Sequence, residues 1–202
     1  MHSEILTKNQ QKLLPVMKSF KKDFYLVGGT AIALQLGHRE SIDFDMFTFD
    51  GFENNKLKRK IKRLMTMGRV LRDEFGNLTF FSLGVQITFF DYPYQVEADL
   101  EFEDYFRLPN LVTLGAMKLL ALGNRAKWKD YVDLYFILQK YSLGEILKKA
   151  KEIFGDEFNG KILREQLAYF DDINYGEEVV FKDGFEVSDG KIKKSLIEHS
   201  LS

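Results

Sequence analysis

Apolar residues recur along the first part of the chain in two rhythms. Ile5, Leu6, Leu13, Leu14, Met17 and Phe20 fall near helical spacing and predict an opening helix over residues 4–22, which Pro15 kinks or splits. "FYLVGG" reads as a short strand ending in a glycine turn, and "TAIALQLGH" as a helix from about Thr30 to Leu36, stopped by Gly37. "SIDFDMFTF" has the β-branched and aromatic content of a strand. Residues 53–67 read as a basic helix, and "RVLRDEFGNLTFFSLGVQITFFDY" as three short strands with turns at "FGN" and "LG".

After "DYPY" the rhythm changes. "VEADLEFEDY" is acidic and strand-like, and helices are predicted over 112–122, 128–140, 143–154 and 160–170. Ser142 and Glu145 stand at capping-box spacing, and Gly155 ends that helix. "EVVFKDGFEV" reads as a hairpin around Asp183-Gly184, and a short helix closes the chain. The expected plan is a mixed α/β portion over 1–108 followed by a mainly helical portion over 109–202.

Composition narrows the chemistry. The 202 residues carry 29 Lys and Arg against 30 Asp and Glu, a net charge of −1, so no global field draws the molecule onto nucleic acid. With no cysteine, disulfides, thiol catalysis and Cys-ligated zinc are excluded. The polar start "MHSEILTKNQQK" lacks the apolar core of a signal peptide, and no apolar run is long enough to span a membrane. A cytoplasmic protein is expected.

Asp43 and Asp45 interrupt an otherwise apolar strand. Residues i and i+2 share a face, so the two carboxylates point one way while Phe44 and Met46 enter the core. Like charges so placed call for a cation between them, and a hard divalent ion such as Mg²⁺ (or Mn²⁺) fits two carboxylates plus substrate phosphates. Gly28-Gly29 supplies a complement: a strand turning into a helix presents free N–H groups as an anion site, and Thr30 offers a hydroxyl. Taken singly, Gly-Gly is often only a turn and Asp-x-Asp only a solvated edge. In the order strand, Gly-Gly, helix, strand with Asp-x-Asp, they read as a nucleoside triphosphate (NTP) and metal site.

The string "GGTAIALQLGHRESIDFDMF" resembles the first motif of the AbiEii/AbiGii toxin family, within the nucleotidyltransferase superfamily of the DNA polymerase β type. The likeness includes His38, Arg39 and Ser41 as well as the two glycines and two aspartates. "AMKLLALGNRAKWKDYVDLYFIL" at 116–138 resembles that family's later motif. The resemblance implies an α+β fold: a nucleotidyltransferase-like mixed sheet flanked by helices, with a helical C-terminal portion. It also implies a Mg²⁺-dependent transferase moving a nucleotidyl group from NTP to a hydroxyl of tRNA, another RNA or a protein. Such a protein would be the toxin of a toxin–antitoxin or phage-defence pair, with a cognate antitoxin as partner. Alternatives are an NTP-binding module with weak chemistry and a small-molecule nucleotidyltransferase.

The resemblance also distributes roles. Asp43 and Asp45 hold metal, and Gly28, Gly29, Thr30, Arg39 and Ser41 surround the nucleotide. A third carboxylate on a neighbouring strand commonly completes the metal site and serves as base. Thr88 stands mid-strand where one belongs, so Asp91 is the candidate, though it alternates onto the face of Val85, Ile87 and Phe89 and is otherwise a turn residue. Lys118 either reaches a triphosphate or snorkels to solvent. Arg125 contacts phosphate or faces solvent; Asp130 and Asp133 hold Lys118 or Arg39, line the cleft, or are surface acids. His38 is expected to be structural and neutral. "KLKRKIKRL", with six basic residues between Lys56 and Arg63, is either a solvated face or an RNA-backbone contact, and the acids of 97–104 are its expected internal counterpart.

Overall fold

A computed structural model describes residues 1–201, and the chain divides into two units: Met1–Gln35 with Glu40–Pro109, and Leu36–Arg39 with the chain from Asn110 onward. In the first unit, α1 (Lys8–Met17) opens on a capping box in which Thr7 and Gln10 satisfy each other's main chain. Pro15 is accommodated within α1, which tightens into a 3₁₀ turn over Lys18–Phe20 instead of running on to residue 22. Then come β1 (Tyr25–Val27), α2 (Gly28–Leu36), β2 (Phe44–Thr48), α3 (Asn54–Leu64), β3 (Val70–Glu74), β4 (Asn77–Ser82), β5 (Val85–Asp91) and a hairpin of β6 (Leu100–Phe102) and β7 (Phe106–Leu108).

The main sheet runs β1-β2-β5-β4-β3, with β2 and β5 parallel and the other neighbours antiparallel. Alternation divides β2 and β5 cleanly. Phe44, Met46, Ile87 and Phe89 are fully buried on one face, while Asp45, Phe47, Thr88 and Phe90 are half-buried on the other. The buried face is filled with rings: Phe89 lies 5.0 Å from Phe20 and 4.8 Å from Phe24, centroid to centroid. Against this side α3 buries Leu57 and Ile61, about 1.5–3 kcal/mol apiece, and turns its basic residues outward.

The strand β7 was not expected, although "FRL" alternates as a strand does, with Phe106 and Leu108 buried. Among the described residues the acids before it do not pair with the basic helix. Glu101 bonds Lys21, and Asp104 bonds both Lys18 and Lys21.

In the second unit, α4 (Leu111–Asn124) is capped by the Asn110 side chain, which accepts from the Thr113 N–H at 3.0 Å. It is followed by α5 (Trp128–Leu138), α6 (Leu143–Phe154), α7 (Gly160–Leu167) and α8 (Asp189–Ser200). The expected capping box of Ser142 and Glu145 opens α6. The hairpin expected around Asp183-Gly184 does not form. Phe181 instead makes an isolated antiparallel bridge to Arg39, and the Lys182 N–H donates to the His38 carbonyl at 3.0 Å. Phe181 and Phe185 both pack on Phe136, and this aromatic packing takes the place of cross-strand pairing. Lys193 of α8 holds its ammonium 5.5–5.8 Å from the ring centroids of Trp128, Phe170 and Tyr175.

Candidate active site

β1 carries the chain to Gly28, which takes a left-handed φ of +69° and turns directly into α2. Val27 is the register partner of Asp45, so the second aspartate of the pair stands beside this elbow. The approach is very close: a Cβ at Gly28 would lie 2.3 Å from Asp45 Oδ2. Glycine is required here twice, by conformation and by space. Gly28 and Gly29 are half-exposed at the start of α2, where main-chain N–H groups lack helical acceptors.

Asp43 sits just before β2 and Asp45 within it; both are half-buried. The approach to β2 is braced from behind. Thr30 is buried, its Oγ1 2.5 Å from the Asp43 carbonyl oxygen and 2.9 Å from Ser41 Oγ. The fully buried Gln10 donates from Nε2 to the same carbonyl at 3.5 Å. Thr30 and Ser41 thus meet each other, and the Thr30 hydroxyl serves the main chain of Asp43 rather than standing open to a phosphate. Gln10 was missed in the sequence. The available signal was its place with Leu13, Leu14 and Met17 on the buried stripe of α1.

Asp91 is not brought to the pair. Its register partner is Thr48, three residues past the Asp45–Thr88 pairing, about 10 Å along the strand. An odd separation also puts it on the opposite face from Asp45. It packs at the Gly76 turn, donating its N–H to the Gly76 carbonyl at 2.7 Å. Among the described residues no group of three or more His, Cys, Asp or Glu side chains converges as a metal site. The chemistry of Asp43 and Asp45, two hard carboxylates beside a bare elbow, still fits a cation that takes its other ligands from phosphates and water. On the same face, Phe47 and Phe90 form a half-exposed ring pair at 5.1 Å, another feature the strand pattern alone did not flag.

The remaining sequence candidates meet within the second unit as a buried charge network. Asp133 accepts from Arg39 Nε at 2.7 Å and from the guanidinium terminus at 2.8 Å, a bidentate fork. It also meets His38 Nε2 at 2.9 Å and Lys118 Nζ at 3.0 Å. Lys118 bonds Asp130 as well, and Arg125, more than half exposed, lies 3.5 Å from Asp130 Oδ2. His38, Asp130 and Asp133 are fully buried, and Arg39 and Lys118 nearly so. Lys118 therefore neither snorkels nor stands open. Asp130 and Asp133 are not surface acids but hold Lys118 and Arg39 respectively.

Electrostatics follow the geometry. Burial raises the Asp133 carboxyl, but Arg39, Lys118 and the hydrogen bonds of His38 and Arg39 outweigh it and hold the group well below the usual carboxylate range. Burial lowers His38 and prevails over the raising influence of Asp133, so the ring is neutral. With Nε2 turned to Asp133, Nδ1 is a buried atom without a hydrogen-bond partner among the described residues.

Residues 16–104 match the family model described as nucleotidyl transferase AbiEii toxin, type IV toxin–antitoxin system. An uncharacterised protein of Aquifex aeolicus is 32% identical over 186 residues, covering 88% of each chain. Among solved structures, the nucleotidyltransferase toxin MenT4 of Mycobacterium tuberculosis superposes with a TM-score of 0.61 at 15% identity, covering 95% of this chain and 80% of its own. A putative nucleotidyltransferase from H. pylori gives 0.58 at 16% identity, covering 96% and 92%. At such identities the two structures speak for the fold.

Proposed function

Because this chain belongs to the AbiEii nucleotidyltransferase toxin family, we propose that it transfers a nucleotidyl group from an NTP to a hydroxyl acceptor on tRNA, another RNA or a protein. It would act in the cytoplasm as the toxin of a toxin–antitoxin or phage-defence pair, answered by a cognate antitoxin. The observation that carries this reading is the Asp45 carboxylate set against the Gly28 elbow, where a Cβ would fall 2.3 Å from Oδ2. A glycine there lets carboxylate and main-chain N–H groups share one small volume, as a metal-bound polyphosphate requires.

Asp43 and Asp45 would hold Mg²⁺ or Mn²⁺, which when bound supplies charge neutralisation on the phosphates. The N–H groups at Gly28 and Gly29 bind the phosphates and orient the α-phosphorus. The acceptor oxygen forms a bond to that phosphorus, the bond to the bridging oxygen breaks, and pyrophosphate leaves. The acceptor proton passes to water at this half-exposed edge of the sheet. Thr30, Ser41 and Gln10 act as positioning residues that fix the main chain of Asp43. Arg39, Lys118, Asp130 and Asp133 act as structural residues of their own unit, fixing the main chain at residues 38–39, and Arg125 is more than half exposed beside Asp130. Phe47 and Phe90 offer a π-surface to a base.

The test is transfer of label from α-labelled NTPs to total RNA and lysate, with the wild type beside Asp43→Asn/Asp45→Asn. The expected result is label on a macromolecule and its loss by about 10²–10³-fold or more in the variant, with an unchanged circular-dichroism spectrum. Thr88 opposite Asp45, and Asp91 elsewhere, favour a second reading in which NTP binds but chemistry is weak. NTP binding with no acceptor labelled would select that reading, and a labelled small molecule would select a small-molecule transferase.

A further inference from the structure

The basic helix α3 lies on the side of the sheet away from the aspartates. Lys60 Nζ sits 4.8 Å from the Phe20 ring centroid, Phe20 packs 5.0 Å from Phe89, and Phe89 pairs with Met46, whose side chain alternates with that of Asp45. On its outer surface Lys56, Arg59, Lys60 and Arg63 fall at i, i+3, i+4 and i+7, one face of the helix. With Ser19 and Leu64 they line a groove of about 480 Å³.

The cations of this unit are not equivalent. Lys18 and Lys21 are paired with Asp104 and Glu101, and Lys58 with Asp73. In the groove, Lys56 meets Glu53 and Lys60 meets Asp23, exposed pairs of small net worth that an incoming anion displaces readily. Arg59 and Arg63 have no acidic partner among the described residues. They stand four residues apart, about 6 Å along the axis, as two guanidinium forks opening on one groove.

We infer that this groove is a docking site for the phosphodiester backbone of a nucleic-acid strand, remote from the aspartate pair, with Arg59 and Arg63 each forking onto a phosphate. It is an anchor rather than a place of reaction, and it does not depend on the transfer chemistry proposed above. A membrane surface is the poorer fit. An interfacial helix lies with its apolar face in the headgroups, whereas Leu57 and Ile61 are buried inside the protein. A single small phosphate is also a poorer fit, because four cations spread over two helical turns match a chain of charges.

The experiment is fluorescence anisotropy of the full chain with a labelled single-stranded RNA of roughly 16 nucleotides, titrated at several salt concentrations. Arg59→Glu/Arg63→Glu should bind at least about tenfold more weakly and lose about 1.4 from the slope of log affinity against log salt, two phosphates at about 0.7 each. Lys62→Glu/Lys161→Glu makes the same charge change outside the groove and should alter affinity by less than about threefold. Asp43→Asn/Asp45→Asn should not weaken binding. The site is overturned if the two charge-reversal variants weaken binding equally, since the field is then general. It is also overturned if inorganic phosphate at constant ionic strength displaces the RNA, or if binding follows the aspartates instead. Unchanged circular dichroism of each variant separates lost binding from lost folding, and none of these results bears on whether label is transferred.

Discussion

Gly28 and Asp45 constrain each other so closely that the smallest substitution is informative. Gly28→Ala forces a left-handed residue, at about 1–2 kcal/mol, and drives a methyl into the carboxylate. The expected outcome is a lowered melting temperature with transfer activity lost; wild-type activity in this variant would disprove the shared volume. Asp133 is the opposite case, a residue whose loss is felt in stability. Asp133→Asn removes the carboxylate that bonds both buried Arg39 and buried Lys118, and urea denaturation should register a loss of about 3–5 kcal/mol. Arg125→Ala, at the exposed end of the same network, should stay within about 1 kcal/mol of the wild type. Residues of both kinds were legible in the sequence, because glycines and charges inside apolar runs are conspicuous. Their partners were not: nothing local announces that Thr30 serves the Asp43 carbonyl, or that Gln10 reaches it from another element.

Elements were readable where their periodicity was strong and local. α6 carries its own capping box and terminal glycine, and the turn before β4 is written in Phe75-Gly76. The reading went astray where non-local packing decides the outcome. Phe181 and Phe185 have the composition of a hairpin, yet the rings turn to Phe136 and the main chain bonds to residues 38–39. Asp91 was the best-placed acid by proximity in sequence, but strand register moved it three positions along and alternation put it on the wrong face. At this scale α8 offers a test, since it meets the aromatic residues around Trp128 through one ammonium. Lys193→Ala should weaken the docking of α8 by about 0.5–2 kcal/mol, seen as faster hydrogen exchange over 189–200 with exchange in β4 and β5 unchanged. Lys193→Arg should restore protection, and equal exchange in all three proteins would remove the cation from the account.

For the molecule as a whole, the buried network makes stability depend on pH in two stages. In the unfolded chain His38 takes a proton near pH 6.5, whereas burial lowers its proton affinity in the fold. Below about pH 6.5 the unfolded state therefore binds the extra proton, and stability declines as pH falls toward the folded value. Asp133 adds a second stage: its folded pKa is depressed, so its contribution is complete above about pH 4 and is lost as pH falls below that. Melting temperatures measured from pH 8 to pH 5 should show the first decline, and His38→Gln should flatten it. An unchanged slope in that variant would move the effect elsewhere.

Residues 36–39 belong with the helices that begin at Asn110, although 70 residues of the first unit separate them. During synthesis the glycine elbow and both aspartates leave the ribosome early, while the acid that receives Arg39 is still untranslated. A nascent or truncated polypeptide ending near Pro109 would hold the Arg39 guanidinium without the carboxylate it forks onto. Residues 38–39 meet their buried acid only once α5 has been made. In a chain that folds as it is made, the fork between Arg39 and Asp133 is therefore a late contact to close, set by the order of translation rather than by distance in the fold.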